Sequence, residues 1–421
     1  MTHDWTENFR QAVAEAEALI ADPPFEVTEQ ERAEGYDYLA GNIRSAIQAA
    51  FSYDLVHPVL MNGTHQYSRQ GLDNPDAIYF NAYLDEGGTY QVTGTRGTTS
   101  DLSFQLMDGS YSATGAPTTL AAFDDRELDI AADGSFSWTF GPEPGLKKGS
   151  CLIIREVYSD WVDERRGTIR IQRLDTAGTP RVPLTSEGVQ KRFDVAAKAL
   201  TSRIRTWFEF PKWYTYTQPV NTLTAPAQTP GGLASQYSSL GHYELDDDQA
   251  MVVTVPVCEE AAYQAIQLGS KWYVSTDYEH RQSSLTAAQS QADPDGKFRY
   301  VISTRDPGIA NWLDTTGQPE GYMAIRWAYP SKPMDSSEFL SQTAQFTNIE
   351  LLQKLQESQT QLLSYQSVVL SSSLVGKTVT GTTAEGSAVS GKVDSAQVVA
   401  GTGFVTISGT RIPVTNVTEV R

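Results

Sequence analysis

The sequence has little cysteine and histidine and no long hydrophobic run. Its two cysteines, Cys151 and Cys258, are too few for a disulfide framework or a four-thiolate zinc site. The five histidines include no pair at the i, i+3 or i, i+4 spacing of a helical metal site. No segment reaches the roughly 18 consecutive apolar residues that a membrane-spanning helix needs. We therefore expect no metal, no other cofactor and no transmembrane segment.

Basic residues are also scarce relative to acidic ones. The 421 residues include 32 Lys and Arg against 51 Asp and Glu, which gives a net charge of −19. A negative field of this size repels phosphate backbones and anionic headgroups, so nucleic acids and membrane surfaces are not expected partners. The stretch from Met1 to Ala21 is acidic and amphipathic and lacks the apolar core of a signal peptide. The predicted location is the cytoplasm.

The composition is otherwise typical of a globular protein of several domains. Hydrophobic residues make up 40% of the chain, which contains 8 Trp and 20 Tyr, so a large core is expected. Apolar residues recur at three- and four-residue steps up to Ile20, over 29–52 and over 186–208, which predicts three helices. We expect the helices of residues 1–70 to pack on the body of the protein.

Residues 71–330 are predicted to form this body as an antiparallel β-sandwich. Short runs of alternating apolar and polar residues are separated by Asp-Gly and Gly-Gly turns. The runs group into two sub-sheets, at about 74–184 and 245–330, and the predicted helix at 186–208 links them. Between them, residues 211–241 are rich in Pro, Thr and Gln and are predicted to form a long irregular loop.

The composition changes sharply near residue 330. Residues 331–421 carry six basic and seven acidic residues and contain neither Trp nor His. Within them, Ser336 to Ser371 has apolar residues near heptad spacing, which predicts one long helix. Leu374 to Val420 has the alternation and turns of a β segment. We therefore predict a separate C-terminal domain over 331–421.

Several motifs of the body occur in an order that is typical of one protein family. They extend from about Asn74 to Trp327 and include Asp160-Trp161, Trp272-Tyr273, Arg305-Asp306-Pro307-Gly308, Asn311-Trp312-Leu313-Asp314 and Arg326-Trp327. This part of the chain resembles a bacterial family whose domain is catalogued as of unknown function. The resemblance implies a double β-sandwich with jelly-roll character and implies no particular activity.

The C-terminal segment carries a different set of motifs. These are Pro333-Met334-Asp335, Gln342-Thr343-Ala344-Gln345-Phe346 and Leu374-Val375-Gly376-Lys377. The segment resembles the flagellar hook-capping, or hook scaffolding, protein, which implies a small β-barrel after the helix. It also implies flagellar export and assembly with hook components or further copies of this chain. The residues expected to mediate assembly are Phe339, Phe346, Ile349 and Leu355. The same apolar stripe is equally compatible with packing on the barrel or on the sandwich.

Together these features predict a mainly β protein with a helical N-terminus. Its expected parts are a double β-sandwich or jelly-roll body, a long C-terminal helix and a small β-barrel. No Gly-x-Ser-x-Gly, His-Glu-x-x-His, phosphate-binding or dinucleotide-binding motif is present. The absence of these motifs favours a binding protein over an enzyme.

The most promising cluster of functional side chains lies in the motifs of the body. A site for a sugar-like or carboxylated molecule needs aromatic rings for stacking, amides and carboxylates for hydroxyls, and arginines for carboxylates. The candidate ligand-binding residues are Trp161, Arg305, Asp306, Asn311, Trp312, Arg326 and Trp327. Asp160 and Asp314 form a candidate acid–base pair. The alternative is a structural role, with Asp306 in a turn, the tryptophans in the core and Asp160 paired with Arg326.

His280 is the third candidate catalytic residue. It lies in Asp277-Tyr278-Glu279-His280-Arg281, where Asp277 or Glu279 would have to orient it as a general base. A surface loop is the alternative interpretation of this polar cluster. The first functional hypothesis is therefore a non-catalytic binding and assembly protein with a small polar or carbohydrate-like ligand. The second is a hydrolase or lyase that acts on a sugar-like or carboxylated molecule.

Overall fold

The protein forms two compact units, Met1–Ala344 and Gln345–Arg421. Their architecture is taken from a computed structural model. The structure describes residues 4–233, 235–330, 334–335, 339–345, 371–384, 386–399 and 402–420. Within these ranges the protein is mainly β, with helices near the N-terminus and between the sheets.

Three α-helices belong to the first unit. They are α1 (Glu7–Ala21), α2 (Glu29–Ser52) and α3 (Ser186–Tyr214). Helix α2 begins with a capping box, in which Thr28 and Glu31 each accept a hydrogen bond from the other's backbone N–H. Helix α3 extends six residues past the predicted end at residue 208. The three helices share a core with Trp272, and no helix in the described ranges is long and apolar enough to span a membrane.

The first β-sandwich follows α2. Its strands are β1 (Ala77–Leu84), β2 (Tyr90–Thr95), β3 (Asp101–Met107), β4 (Thr119–Asp124), β5 (Ser135–Phe140), β6 (Ser150–Val157) and β7 (Thr168–Arg173). One sheet has the order β1-β6-β3-β4 and the other β5-β2-β7. Apolar residues from both sheets, including Phe104 and Phe136, meet in one core. The alternation of apolar and polar residues in the sequence therefore predicted the strands of this sandwich correctly.

The second β-sandwich follows α3. Its strands are β8 (Thr222–Leu223), β9 (Gln236–Glu244), β10 (Gln249–Pro256), β11 (Tyr263–Ser270), β12 (Val274–Ser275), β13 (Ser284–Thr286), β14 (Lys297–Ser303), β15 (Trp312–Asp314), β16 (Glu320–Ala328) and β17 (Leu340–Gln345). One sheet has the order β15-β14-β10-β17 and the other β12-β11-β16-β9-β8, with β13 beside β11. The pairings of β10 with β14, of β11 with β12, β13 and β16, and of β9 with β8 and β16 are antiparallel, whereas β14 and β15 are parallel.

Two predictions fail in this second sandwich. The supposed loop at 211–241 contains β8 and the start of β9, because β9 pairs along its whole length with β16. The helix predicted from Ser336 is wrong over Leu340–Gln345, which forms β17 at the edge of the sandwich beside β10. Phe339 stacks on Trp327 with ring centroids 5.6 Å apart. Chain after residue 330 therefore contributes to the body of the protein.

The second unit consists of short strands around a small apolar core. They are β18 (Thr378–Thr382), β19 (Ala388–Lys392), β20 (Ser395–Val399), β21 (Thr402–Ile407), β22 (Thr410–Pro413) and β23 (Val417–Val420). They form two three-stranded sheets, β19-β18-β23 and β20-β21-β22, which do not close into the expected barrel within the described residues. Phe346, Ile349 and Leu355 lie outside the described residues, as does most of the long helix predicted for this region.

Candidate functional site

A cavity of about 500 Å³ lies in the first unit, between the first sandwich and α3. Its floor is the outer face of the four-stranded sheet. Its walls come from α2, α3, the segment 70–74 and β16 of the second sandwich. A cavity of this volume is in the range that holds a small organic molecule.

The floor of the cavity is built by two paired strands. Tyr79 of β1 lies opposite Arg155 of β6, and Tyr83 lies opposite Cys151. Alternate residues of a strand point to opposite faces, so these four side chains share the outer face. Asn81 lies between the two tyrosines on the same face. The alternation that gives the sandwich its apolar interior therefore also lines the cavity with polar side chains.

Helix α3 forms one wall through a stripe of residues at helical spacing. The stripe consists of Val195, Ala199, Ser202, Arg203 and Thr206. The segment 70–74 adjoins this wall at Gly71, whose φ of +66° suits glycine. A Cβ at this position would lie 2.6 Å from the ring of Trp207, so glycine allows the chain to pass against that ring.

Three arginine side chains, those of Arg155, Arg203 and Arg326, line this cavity. Arg155 donates from Nη1 to Oε1 of Gln105 at 2.6 Å, and Arg326 donates to Gln267 and to the carbonyl of Leu72. Within the part of the chain that the structure describes, none of the three pairs with a carboxylate. The lining is therefore cationic although the chain as a whole is strongly acidic.

Arg203 is the least satisfied of the three arginines. Its Nη1 is buried and has no hydrogen-bond partner among the described residues. Burial lowers the pKa of Arg203, and the nearby Tyr83 and Tyr38 partly oppose this shift. A buried guanidinium without a counter-charge costs free energy, because the desolvation of the charge is not compensated. An anionic ligand would supply that compensation.

The remaining titratable groups of the cavity are neutral or already engaged. Asp73 is the one acidic residue of the lining, and its carboxylate accepts hydrogen bonds from the N–H and hydroxyl of Ser275. Burial raises the pKa of Asp73. Burial also raises the pKa of Cys151 to about 12 and that of Tyr83 to about 12. At neutral pH the cavity thus holds a thiol and phenols, which are hydrogen-bond donors.

Of the candidate residues from the sequence, Arg326 lines this cavity. Trp327, its neighbour on β16, is fully buried in the core of the second sandwich. Asn311 is also buried, and its side chain bonds to the backbone N–H and carbonyl of Gln291. Trp312 donates from its indole N–H to Ser303. The amide of Asn311 and the indole of Trp312 thus hold neighbouring loops and strands together.

The other candidates lie in turns or ion pairs outside the cavity. Asp160 accepts hydrogen bonds from the backbone of the turn that follows β6, and Trp161 donates to Asp76 at 2.8 Å. Arg305 is exposed and donates to the carbonyl of Asp247. Asp306 accepts from the N–H of Gly308 in an exposed turn.

Asp314 and His280 complete the predicted set. Asp314 is buried and forms an ion pair with Arg281, with 2.9 Å between Nη1 and Oδ2. His280 is exposed, and its Nδ1 lies 2.9 Å from Oδ1 of Asp277, which raises the pKa of the imidazole. Neither Asp160 nor Asp314 lines the 500 Å³ cavity. The predicted acid–base pair is thus engaged in other contacts.

The sequence analysis missed Arg155, Arg203, Tyr79, Tyr83 and Cys151. Polar residues at alternate positions of β1 were a usable signal, since one side of that strand had to face away from the core. The signal at Arg203 was weaker: this charged residue lies next to Leu200 and Ile204, which belong to the apolar stripe of α3. The meeting of these elements depends on tertiary contacts that the sequence pattern does not specify.

Comparison with known proteins supports the fold and gives no activity. The chain is similar to the crystal structure of an uncharacterized protein from Burkholderia cenocepacia, with a TM-score of 0.72 and 26% identity over 81% of this chain and 96% of that one. A protein from Vibrio parahaemolyticus matches at a TM-score of 0.41 and 11% identity, over 74% and 97% of the two chains, too weakly to support an argument. No protein-family model matches the chain. A search of curated proteins also finds no match.

Proposed function

We propose that this protein binds a small organic anion in the 500 Å³ cavity. The observation that carries the proposal is the convergence of Arg155, Arg203 and Arg326 on one cavity, where none of them forms an ion pair with a carboxylate of the described residues. Arginine presents a planar fork of N–H donors that matches the two oxygens of a carboxylate or the oxygens of a phosphate. The strongest single indication of a missing acceptor is Nη1 of Arg203, which is buried and has no hydrogen-bond partner among the described residues.

The rest of the lining indicates an anion with an apolar body. Phe80, Ile153, Leu233 and Trp207 contribute apolar surface, while Tyr79 and Tyr83 add hydroxyl groups. Ligand sites commonly combine an apolar lining with a few polar groups that fix orientation. A carboxylate carried by an aromatic or aliphatic skeleton fits this division better than a small inorganic ion does.

Binding is favoured over catalysis by the state of the nucleophiles in the cavity. The thiol of Cys151 stays protonated at neutral pH, and Asp73 is held by Ser275. A hydrolase or lyase that uses Asp160 and Asp314 stays an alternative hypothesis. The assembly and export functions implied by the hook-capping resemblance of residues 331–421 also stay predictions.

Calorimetric titration with three matched aromatic compounds tests the proposal. Benzoate carries a carboxylate, phenyl phosphate carries a phosphate, and benzamide has nearly the shape of benzoate without its charge. We expect saturable binding of benzoate or phenyl phosphate and much weaker binding of benzamide. Comparison of the two anions shows which group the arginines prefer.

Arg203→Met removes the charge while keeping a long apolar side chain. We expect affinity for the anion to fall about 10- to 100-fold, since a hydrogen-bonded charged group contributes about 1.5–3 kcal/mol. Arg205→Met is the matched control, because Arg205 lies on the same helix but is exposed and pairs with Glu15. Equal binding by both variants, or equal affinity for benzoate and benzamide, would contradict the proposal.

A further inference from the structure

A second cavity, of about 360 Å³, lies between α2 and the second sandwich in the same unit. It is more polar than the first. Gln66, Tyr67 and Arg69 border it, whereas residues 70–74 border the 500 Å³ cavity, so one segment of chain contributes to both. None of the three arginines of the anion cavity lines it.

Four buried polar side chains that line this cavity have an atom without a hydrogen-bond partner among the described residues. These atoms are Oη of Tyr38, Oγ of Ser270, Oγ1 of Thr276 and Oε1 of Gln318. The four residues are only 5%, 3%, 4% and 2% exposed. Buried polar atoms in proteins are nearly always hydrogen-bonded, and leaving them unpaired costs free energy. Four such atoms around one cavity therefore point to a ligand that completes their hydrogen bonds.

The charged groups of this cavity already form hydrogen bonds or ion pairs within the protein. Arg69 donates to the carbonyls of Ser275 and Thr276 and lies 3.5 Å from Asp37. Arg281 pairs with Asp314. Of the acidic groups, Glu34 accepts from Gln30 and Gln318, and Asp277 accepts from His280. A charged ligand would have to compete with these interactions.

We propose that this second cavity binds a neutral polyhydroxylated molecule of the size of a monosaccharide. A hydroxyl group both donates and accepts hydrogen bonds, so it can satisfy the hydroxyls of Ser270 and Thr276 as well as the carbonyl oxygen of Gln318. The hydrogen bonds and ion pairs that already engage Glu34, Arg69, Asp277 and Arg281 favour a neutral ligand, which does not have to displace them. This inference is independent of the anion site, because its observations lie on other side chains.

The test uses D-glucose, D-xylose and myo-inositol in titrations followed by ligand-detected NMR, with glucuronate and glucosamine as charged analogues. Saturable binding of at least one neutral compound is expected, and the charged analogues should bind more weakly. Polyols at high concentration stabilise proteins non-specifically, so binding is measured at millimolar concentration. The absence of saturable binding by all three neutral compounds, or tighter binding of a charged analogue, would overturn the proposal.

Thr276→Val replaces the unpartnered hydroxyl with a methyl group of similar volume. We expect it to weaken binding of the polyol about three- to tenfold, in line with the loss of one hydrogen bond. Thr215→Val is the matched control, because Thr215 also has a buried hydroxyl without a partner but does not line this cavity. Ser270→Ala is the second variant, so that a folding defect in one does not decide the result. Wild-type affinity in both cavity variants would overturn the proposal.

Discussion

The carboxyl group of Asp101 should make the stability of the first unit depend on pH in an unusual direction. Asp101 lies on β3 and is fully buried. Burial is the main cause that raises its pKa to about 7, and the negative charges of Asp125 and Asp124 add to the shift. Tyr329 faces the same carboxyl, and the guanidinium of Arg126 lies 3.4 Å from the centre of the Tyr329 ring.

The size and sign of the effect follow from the pKa values of Asp101 in the unfolded chain and in the folded protein. In the unfolded chain Asp101 titrates near pH 4, whereas in the folded protein it titrates near pH 7. Below about pH 4 the group is protonated in both states and has no effect. As the pH rises from 4 to 7, the unfolded chain releases this proton more readily than the folded protein, so stability falls. A difference of roughly 3 pH units corresponds to roughly 4 kcal/mol.

Urea unfolding of Asp101→Asn and the wild type, at several values between pH 4.5 and pH 8, measures this effect. Asparagine carries no proton to lose, so the variant should gain up to roughly 4 kcal/mol relative to the wild type across this range. The other titrating groups contribute equally to the free energy of unfolding of both proteins, so their contributions cancel in the difference.

Asp175→Asn is the control for the sign. Hydrogen bonds from Arg173 lower the pKa of Asp175 below the value of about 4 that it has in the unfolded chain. This variant should therefore lose stability relative to the wild type as the pH rises towards about 5, and the difference should stay nearly constant from about pH 5 to pH 8. A constant difference between Asp101→Asn and the wild type from pH 4.5 to pH 8 would refute the account of Asp101.

Three further predictions concern reactivity and packing. Ellman's reagent should modify Cys258 in the native protein and leave Cys151 unmodified, because Cys151 is buried and its pKa is about 12. Cys258→Ser should then abolish the fast reaction, and two thiols that react equally fast would contradict this prediction. Phe339→Ala should lower the free energy of urea unfolding by about 2 kcal/mol through the lost stacking on Trp327, and an unchanged value would exclude this contact from the folded body. Thr28→Ala should cost about 1 kcal/mol in the same assay by removing the cap of α2, whereas a neutral effect would contradict the capping box.

Local patterns were sufficient to predict most elements of the first unit. The apolar periodicity of residues 29–52 defines a helix whose start is fixed by the cap at Thr28. The alternation in β1 and β6 reflects a sheet with an apolar inner face and a polar outer face. Such signals depend on neighbours in sequence and are therefore visible without tertiary contacts.

The two failed predictions, the loop at 211–241 and the helix from Ser336, share one physical cause. Residues 340–345 lie in a segment with heptad-like spacing, yet they form a strand because the free edge of β10 offers backbone partners. The same dependence on distant partners applies to β9, which pairs with β16. Tertiary pairing overrides a local preference when the energy difference between helix and strand is small.

The candidate site was the least predictable part of the protein. Arg326 attracted attention as part of a motif, but Arg155 and Arg203 are separated from it by more than a hundred residues of sequence. Their convergence requires β1 beside β6, α3 across that sheet and β16 behind segment 70–74. No spacing rule links positions that are brought together in this way.

The central claim is that Arg203 lies unpaired in the cavity because its counter-ion is a ligand. Urea unfolding of the wild type and Arg203→Met, each with and without benzoate, tests it most directly, because a ligand that binds the folded state increases the free energy of unfolding. Without benzoate, the variant should be at least as stable as the wild type, since it no longer buries an uncompensated charge. Benzoate should stabilise the wild type and have little effect on the variant. Equal stabilisation of both proteins, or a wild type that neither benzoate nor phenyl phosphate stabilises, would contradict the claim.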